Sequence, residues 1–313
     1  MPATERQLAD TVLMIRPVAF QGNPMTQGSN RFQEPVAESP AEQQALALHE
    51  FDGLVAALRE AGVDVIVVED TPALHTPDSI FPNNWVSFHA DGRVVLYAME
   101  AQNRRAERRP DIVEMLASEH GFRVRELIDL TAHELRGHYL EGTGSLVLDR
   151  VHRVAYACLS SRTHLEPLGD FAQRLGYDTV AFGAVDRDGV PIYHTNVLMS
   201  VGEELAFVCA AAIPGEEQRS AVLRRLRDTG HEVIALSFAQ LEAFAGNMLE
   251  LRSKTGTRVL AMSRQALDSL EPDQRRRVRD NGEIIVADVG SIERAAGGSV
   301  RCMLAEVHLP RTG

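Results

Sequence analysis

Five times along this chain an amphipathic stretch ends at or near a glycine and gives way to a short β-rich run: LREAGVDVIVVE, ASEHGFRVRELI, AQRLGYDTVAF, RLRDTGHEVIAL and RRVRDNGEIIVAD. The first half of each predicts a helix. The glycine stands where a helix C-cap belongs, because a residue just past a helix end often takes positive φ. The β-branched residues behind it predict a strand. Before each helix lie two further apolar runs. Four pairs are plain, in NNWVSFHADGRVVLYAM, GTGSLVLDRVHRVAYACL, TNVLMSVGEELAFVCAA and GNMLELRSKTGTRVLAMS, with turn residues such as Asp91–Gly92 and Gly202 between the runs. The fifth pair is divided between the chain ends: RCMLAEVHL supplies its first strand and TVLMIRPVAF its second.

The unit is strand, strand, helix, strand, with a period of roughly 50 to 60 residues, the spacing of propellers and solenoid-like arrays. A unit built from both termini closes the array on itself and leaves no free end. The expected fold class is α/β, a pseudo-fivefold ring of such units in a single domain over residues 1–313. The alternative is an ordinary α/β sheet whose elements look alike by chance; the repeated glycine at the helix ends favours the ring. Residues 21–40, QGNPMTQGSNRFQEPVAESP, predict a long polar loop, of a kind that often serves as a lid or binding loop.

Composition narrows the function classes. An apolar fraction of 44% is ordinary for a chain with a real core. A formal net charge of −12 argues against a nucleic-acid binder and a polybasic membrane contact. No run approaches the roughly 18 apolar residues of a spanning helix. MPATERQLADTV lacks the basic start and apolar stretch of a signal peptide. Three separated cysteines, none in a CxxC pair, fit a reducing cytoplasm. With neither HExxH nor paired CxxC spacing, no metal and no cofactor are expected. A homo-oligomer is compatible with all of this.

The chemistry-bearing residues share one slot of the repeat. The first strands open on Asn83–Asn84, on Glu141–Gly–Thr–Gly144, on His194–Thr–Asn196, on Gly246–Asn247 and on the GGSVRC that ends in Cys302. In a pseudo-fivefold ring these openings converge on one pocket, which brings together a thiol, an imidazole and a carboxylate: the ingredients of covalent catalysis. Cys158 and Cys209 sit in second strands among apolar residues and read as small core side chains. Cys302 follows a glycine-rich approach that lets backbone come close to a ligand. His194 and Asn196, two apart in the apparent strand IYHTNVLMS, would point to the same face.

These openings, read in order as DSIFPNN, LEGTGS, LSSRT, YHTN, GNMLEL and GGSVRCM, resemble those of the guanidino-group-modifying enzymes, the pentein or amidinotransferase/deiminase superfamily. The resemblance covers nearly the whole chain and implies a five-bladed α/β propeller acting on a small amino-acid substrate. It implies that Cys302 attacks the substrate carbon, that His194 is the general acid and base, and that Glu141 contacts substrate or histidine. It assigns Arg162 in LSSRT and, more loosely, Arg105 in NRRAE to the substrate carboxylate; both could equally be surface charges. MIRPVAF, SNRFQ, FPNNW and HTNV together are most similar to the citrulline-utilising hydrolases.

Two positions depart from the guanidino pattern. Where the superfamily carries aspartates that clamp a guanidinium, this chain has Asn84 and Asn196. A buried guanidinium needs compensating negative charge, and leaving a buried ion unpaired costs about 3–5 kcal/mol. A ureido group is neutral and carries both N–H donors and a carbonyl acceptor. Asparagine can meet both, whereas a carboxylate only accepts. The substitutions favour citrulline, hydrolysed to ornithine, ammonia and carbon dioxide through an S-carbamoyl enzyme. Asp78 completes the expected shell, or is a turn residue after Pro77. Competing readings are an arginine or dimethylarginine deiminase with Asp78 and Glu141 supplying charge, an amidinotransferase, and a non-catalytic pentein that only binds.

Overall fold

The computed structural model describes residues 5–312, in a mixed α/β fold of small sheets. Among the described residues, fifteen strands are arranged as five three-stranded sheets. In chain order they are β1 (Thr11–Arg16), β2 (Asp64–Glu69), β3 (Val86–Phe88), β4 (Arg93–Leu96), β5 (Glu126–Asp129), β6 (Leu146–Asp149), β7 (Val154–Leu159), β8 (Asp178–Gly183), β9 (Met199–Val201), β10 (Leu205–Val208), β11 (Glu232–Ala235), β12 (Leu249–Arg252), β13 (Arg258–Ser263), β14 (Glu283–Ala287) and β15 (Ala305–Glu306). The sheets run β3-β4-β5, β6-β7-β8, β9-β10-β11, β12-β13-β14 and β15-β1-β2. In each, the middle strand pairs antiparallel with the first and parallel with the third. A parallel partner needs a crossover, and each unit supplies one as a helix between its second and third strands. The sheet shared by the termini is real: Leu13 of β1 lies opposite Ala305 of β15 and Ile66 of β2.

The crossover helix of that unit, Pro40–Glu60, shows why these elements form. Ser39 caps it in a reciprocal box with Glu42, and Pro40 occupies its first turn, where a missing N–H costs nothing. Ala47, Phe51, Leu54, Val55 and Leu58 repeat at helical spacing and are buried. That face packs on β2, on β14 of the neighbouring unit and on the helix Gly290–Ala296. Gly62, Gly121, Gly176 and Gly230 follow their helices with φ between 66° and 87°, as the pattern predicts. Gly282 does not: its φ of 171° is extended. It is glycine because a Cβ there would lie 2.5 Å from the carbonyl oxygen of Arg258.

The strand openings differ from expectation. Asn84 lies in a 3-10 turn, Pro82–Asn84, and Cys302 in another, Val300–Met303. Glu141 precedes the helical turn Gly142–Ser145, and His194 precedes Thr195–Leu198. IYHTNVLMS is therefore not one strand; β9 begins only at Met199. Short apolar runs do not distinguish a strand from one turn of helix. The turns pack on one another: Pro82–Asn84 touches both Gly142–Ser145 and Val300–Met303, and Gly142–Ser145 touches Thr195–Leu198. Two glycines permit this approach. A Cβ on Gly142 would sit 2.1 Å from Asn83 O, and one on Gly246 would sit 2.4 Å from Val197 O. Among the described residues no helix is long and apolar enough to cross a membrane.

Candidate active site

The packed turns deliver their side chains to one cavity, lined by Asp78, Asn84, Arg104, Arg162, His194 and Cys302 together with Tyr193, Phe81 and residues of the 21–40 segment. Cys302 Sγ lies 3.5 Å from Asn196 Nδ2 and 3.3 Å from Asn247 Nδ2. His194 Nε2 lies 2.9 Å from Glu141 Oε2. The other Glu141 oxygen accepts from the backbone N–H of Glu100 at 3.0 Å. Two guanidinium groups flank the carboxylate, Arg162 at 3.5 Å and Arg104 at 3.8 Å. Gly144 makes room for the imidazole: a Cβ on it would lie 2.6 Å from His194 Nδ1 and 2.5 Å from Asn84 Nδ2.

The electrostatics follow from burial. Desolvation alone would raise the Glu141 carboxyl, but Arg162, the hydrogen bond from His194 and Arg104 outweigh it and hold the group below the usual carboxylate range. An ionised carboxylate only accepts, so His194 Nε2 carries the hydrogen and Nδ1 is the basic nitrogen. Burial pushes the imidazole down to about 4 against the pull of Glu141, so it is neutral near pH 7 in this state. Burial pushes the Cys158 thiol up to about 12 and also raises Cys209.

The cavity gathers Cys302, His194, Asn84, Asp78 and Arg162, with Glu141 against the His194 ring and Asn196 against the Cys302 sulfur. Asp78 is buried, accepting from Asn23 Nδ2 at 2.7 Å and facing Arg104 Nε at 3.5 Å, so it is more than a turn residue. Arg162 is no surface charge: it bonds Thr26 O and Ser29 Oγ of the 21–40 segment and lies over the Tyr193 ring. That segment closes one wall of the site through Thr26 and Asn30. Arg105 is the exception. Its guanidinium turns away to Met99 O and Glu134, and Arg104, not Arg105, lines the cavity. Arg104 grips Glu107 with two 2.9 Å hydrogen bonds and donates to Asn84 Oδ1 at 3.0 Å. Asn247 was visible in the sequence as a strand opening but carried no assigned role. A wider groove lined by Arg31, Phe32, Asp188, Phe244 and Arg264 contains none of these groups.

Two consequences are measurable. Arg104→Ala breaks a buried pair and strands Glu107, which costs about 3–5 kcal/mol; Arg105→Ala loses a half-exposed pair worth about 1 kcal/mol or less. Urea midpoints of the two variants should differ accordingly. The second concerns pH. His194 titrates lower in the folded chain than its ordinary 6.5, so on acidification the unfolded chain takes the proton first. The His194 contribution to stability is full above about pH 6.5 and is lost between there and about pH 4, while Glu107, Glu250 and Glu293, raised by burial, act with the opposite sign. His89 and His308, lowered by burial, act with the same sign as His194. In a urea-midpoint series against pH, wild type should lose ground to His194→Gln as pH falls through that window.

The family model described as "N,N dimethylarginine dimethylhydrolase, eukaryotic" matches residues 16–309. No curated protein sequence matches the chain significantly. Among solved structures, the chain is similar to ArgZ, an arginine dihydrolase from the ornithine-ammonia cycle in cyanobacteria, with 17% identity and a TM-score of 0.71 over 96% of this chain. It spans 41% of that chain, and 99% of an ArgZ N-terminal domain solved bound to substrate. It is also similar to AgrE in complex with L-arginine, with 17% identity and a TM-score of 0.74 over 96% of this chain and 40% of that one. DDAH from Pseudomonas aeruginosa, solved as a cysteine-to-serine variant complexed with citrulline, has 15% identity and a TM-score of 0.65 over 95% of this chain and 99% of that one.

Proposed function

Because this chain belongs to the N,N dimethylarginine dimethylhydrolase family, hydrolases of carbon–nitrogen bonds other than peptide bonds, we propose that it is a cysteine-dependent hydrolase of a ureido amino acid, citrulline first. In this reading the five sheets are the blades of one pseudo-fivefold propeller, a single catalytic domain working in the cytoplasm.

The observation that carries the substrate is the orientation of Asn84. Its oxygen is taken by Arg104, so its amide N–H2 faces the site, buried and without a partner. A guanidinium has only donors to offer that group, and it would also meet the positive charge of Arg104. A ureido carbonyl accepts from Asn84 and brings no charge. The unpartnered acceptors Asn196 Oδ1 and Asp78 Oδ1 suit the ureido N–H groups. Arg162 is placed for the substrate carboxylate, which would replace its bonds to Thr26 and Ser29 as the 21–40 segment opens.

The chemistry then runs in two halves. Cys302 gives its proton to His194 Nδ1 through a bridging water, since the ring lies beyond hydrogen-bonding distance of Sγ, and the sulfur attacks the ureido carbon. The bond to the side-chain nitrogen breaks, and the imidazolium protonates that nitrogen as ornithine leaves. The low affinity of buried His194 for a proton makes its imidazolium a strong acid for this step. Glu141, fixed in its charged form, holds the ring and compensates its positive charge. Water, deprotonated by neutral His194, attacks the S-carbamoyl carbon. The C–S bond breaks and carbamate is released, which falls to ammonia and carbon dioxide. His194 serves both halves because Nδ1 takes the proton of the attacking group and returns it to the group that leaves.

Incubating the purified chain separately with citrulline, arginine and dimethylarginine, and assaying ornithine, citrulline and ammonia, tests this. Ornithine and ammonia should appear from citrulline. Citrulline formed from arginine, with citrulline itself inert, would make the site a deiminase.

A further inference from the structure

We propose that Asn247 is a catalytic residue: with Asn196 it forms a neutral, two-amide cradle that stabilises the Cys302 thiolate. The inference rests on Cys302 as the nucleophile and not on the identity of the substrate.

The sulfur has few other sources of stabilisation. Arg301, its neighbour in sequence, is committed elsewhere, donating to Leu304 O and to Glu306 at 2.8 Å. The Nε2 hydrogen of His194 goes to Glu141. Arg104 and Arg162 spend their hydrogen bonds on Glu107, Asn84, Ser29 and Thr26. What reaches Sγ within hydrogen-bonding distance, among the described residues, is the amide nitrogen of Asn196 and both polar atoms of the Asn247 amide.

Asn247 is held for this task. One hydrogen of its N–H2 goes to the backbone oxygen of Asn196 at 3.0 Å, which leaves the second for Sγ at 3.3 Å. Gly246 lets its turn sit on Val197, since any Cβ there would collide with Val197 O. The Asn247 oxygen lies 3.6 Å from the same sulfur. The neutral thiol can donate to that oxygen, and once its proton has left for His194 the two amide nitrogens donate to the anion. Hydrogen bonds to the charged form favour it, so the cradle stabilises the thiolate without a cation that would repel a positive leaving group. It also gives a reason, separate from the substrate, for an amide at position 196: a carboxylate there would face the thiolate charge against charge.

The test reads the thiol directly. Iodoacetamide alkylation of the purified chain is followed against pH for wild type, Asn247→Ala and Asn247→Asp, with Cys302→Ser as the blank for Cys158 and Cys209. Losing one donor should move the midpoint upward by about one unit, so that alkylation near pH 7 slows about tenfold. Asn247→Asp, which keeps the volume and adds a repelling charge, should move it further and carries the test if the alanine variant does not fold. A merely structural role would change amplitude or folding, read by circular dichroism, without moving the midpoint. Folded variants that alkylate along the wild-type profile overturn the proposal. Because no ureido substrate is present, this outcome is independent of whether citrulline proves to be turned over.

Discussion

Cys302→Ser should abolish ornithine release from citrulline, with a loss on the order of 10⁴-fold or more in kcat. The physical reason is the nucleophile's charge. A thiol near neutral pH yields a useful fraction of anion, and the amides of Asn196 and Asn247 sit within 3.5 Å of the sulfur to receive it. A serine hydroxyl in the same place is far less acidic than a thiol and has no comparable anion. The pocket itself is little altered by exchanging sulfur for oxygen, so citrulline should still bind. The variant is therefore expected to lose kcat with the binding constant largely kept. Mass spectrometry of the wild-type enzyme quenched during turnover should show a carbamoyl group on Cys302, absent in the variant. Retained turnover in Cys302→Ser would falsify covalent catalysis here.

How much of this was legible in the sequence depended on the length of the signal. The five units were readable because each carries a helix of several turns and a glycine behind it, patterns long enough to survive single exceptions such as Gly282. The split unit was readable because RCMLAEVHL and TVLMIRPVAF are each half of a pair. The catalytic candidates were found by their shared slot and by the family resemblance. What failed was local geometry over three or four residues. His194 and Asn196 do converge on one site, but through a helical turn and not the two-residue pleat of a strand. Arg104 and Arg105 are adjacent, and on the 3-10 helix Gln102–Glu107 neighbours diverge by about a third of a turn. Only the positions of Glu107 and Asn84, distant partners that no local pattern reveals, decide that Arg104 faces inward. Asn247 was missed because its value lies in what it touches: one asparagine after one glycine carries no chemistry until Cys302 is beside it.

Asn84→Asp should lower the ratio of kcat/KM for citrulline to that for arginine by about 100-fold or more. The change is nearly isosteric, and Arg104, already 3.0 Å from Asn84 Oδ1, would pair with the new carboxylate, so the chain should fold. What is lost is the buried, unpartnered N–H2 that would donate to a ureido oxygen. In its place a second carboxylate oxygen meets that ureido oxygen, acceptor against acceptor. Leaving a buried polar group unsatisfied costs about 1–3 kcal/mol, and more when a charge is involved. For a guanidinium the sign reverses: the new charge offsets both the substrate's positive charge and that of Arg104. Asn196→Asp is less selective, because its Nδ2 also donates to Cys302, and a carboxylate 3.5 Å from the sulfur disfavours the thiolate for every substrate. The two single variants therefore separate two uses of the same side chain. Substrate choice shows as a changed ratio in Asn84→Asp, and nucleophile activation as a common loss in Asn196→Asp. An unchanged citrulline-to-arginine ratio in Asn84→Asp would mean that the amide at position 84 does not read the substrate, and the case for a ureido over a guanidino group would lose its main support.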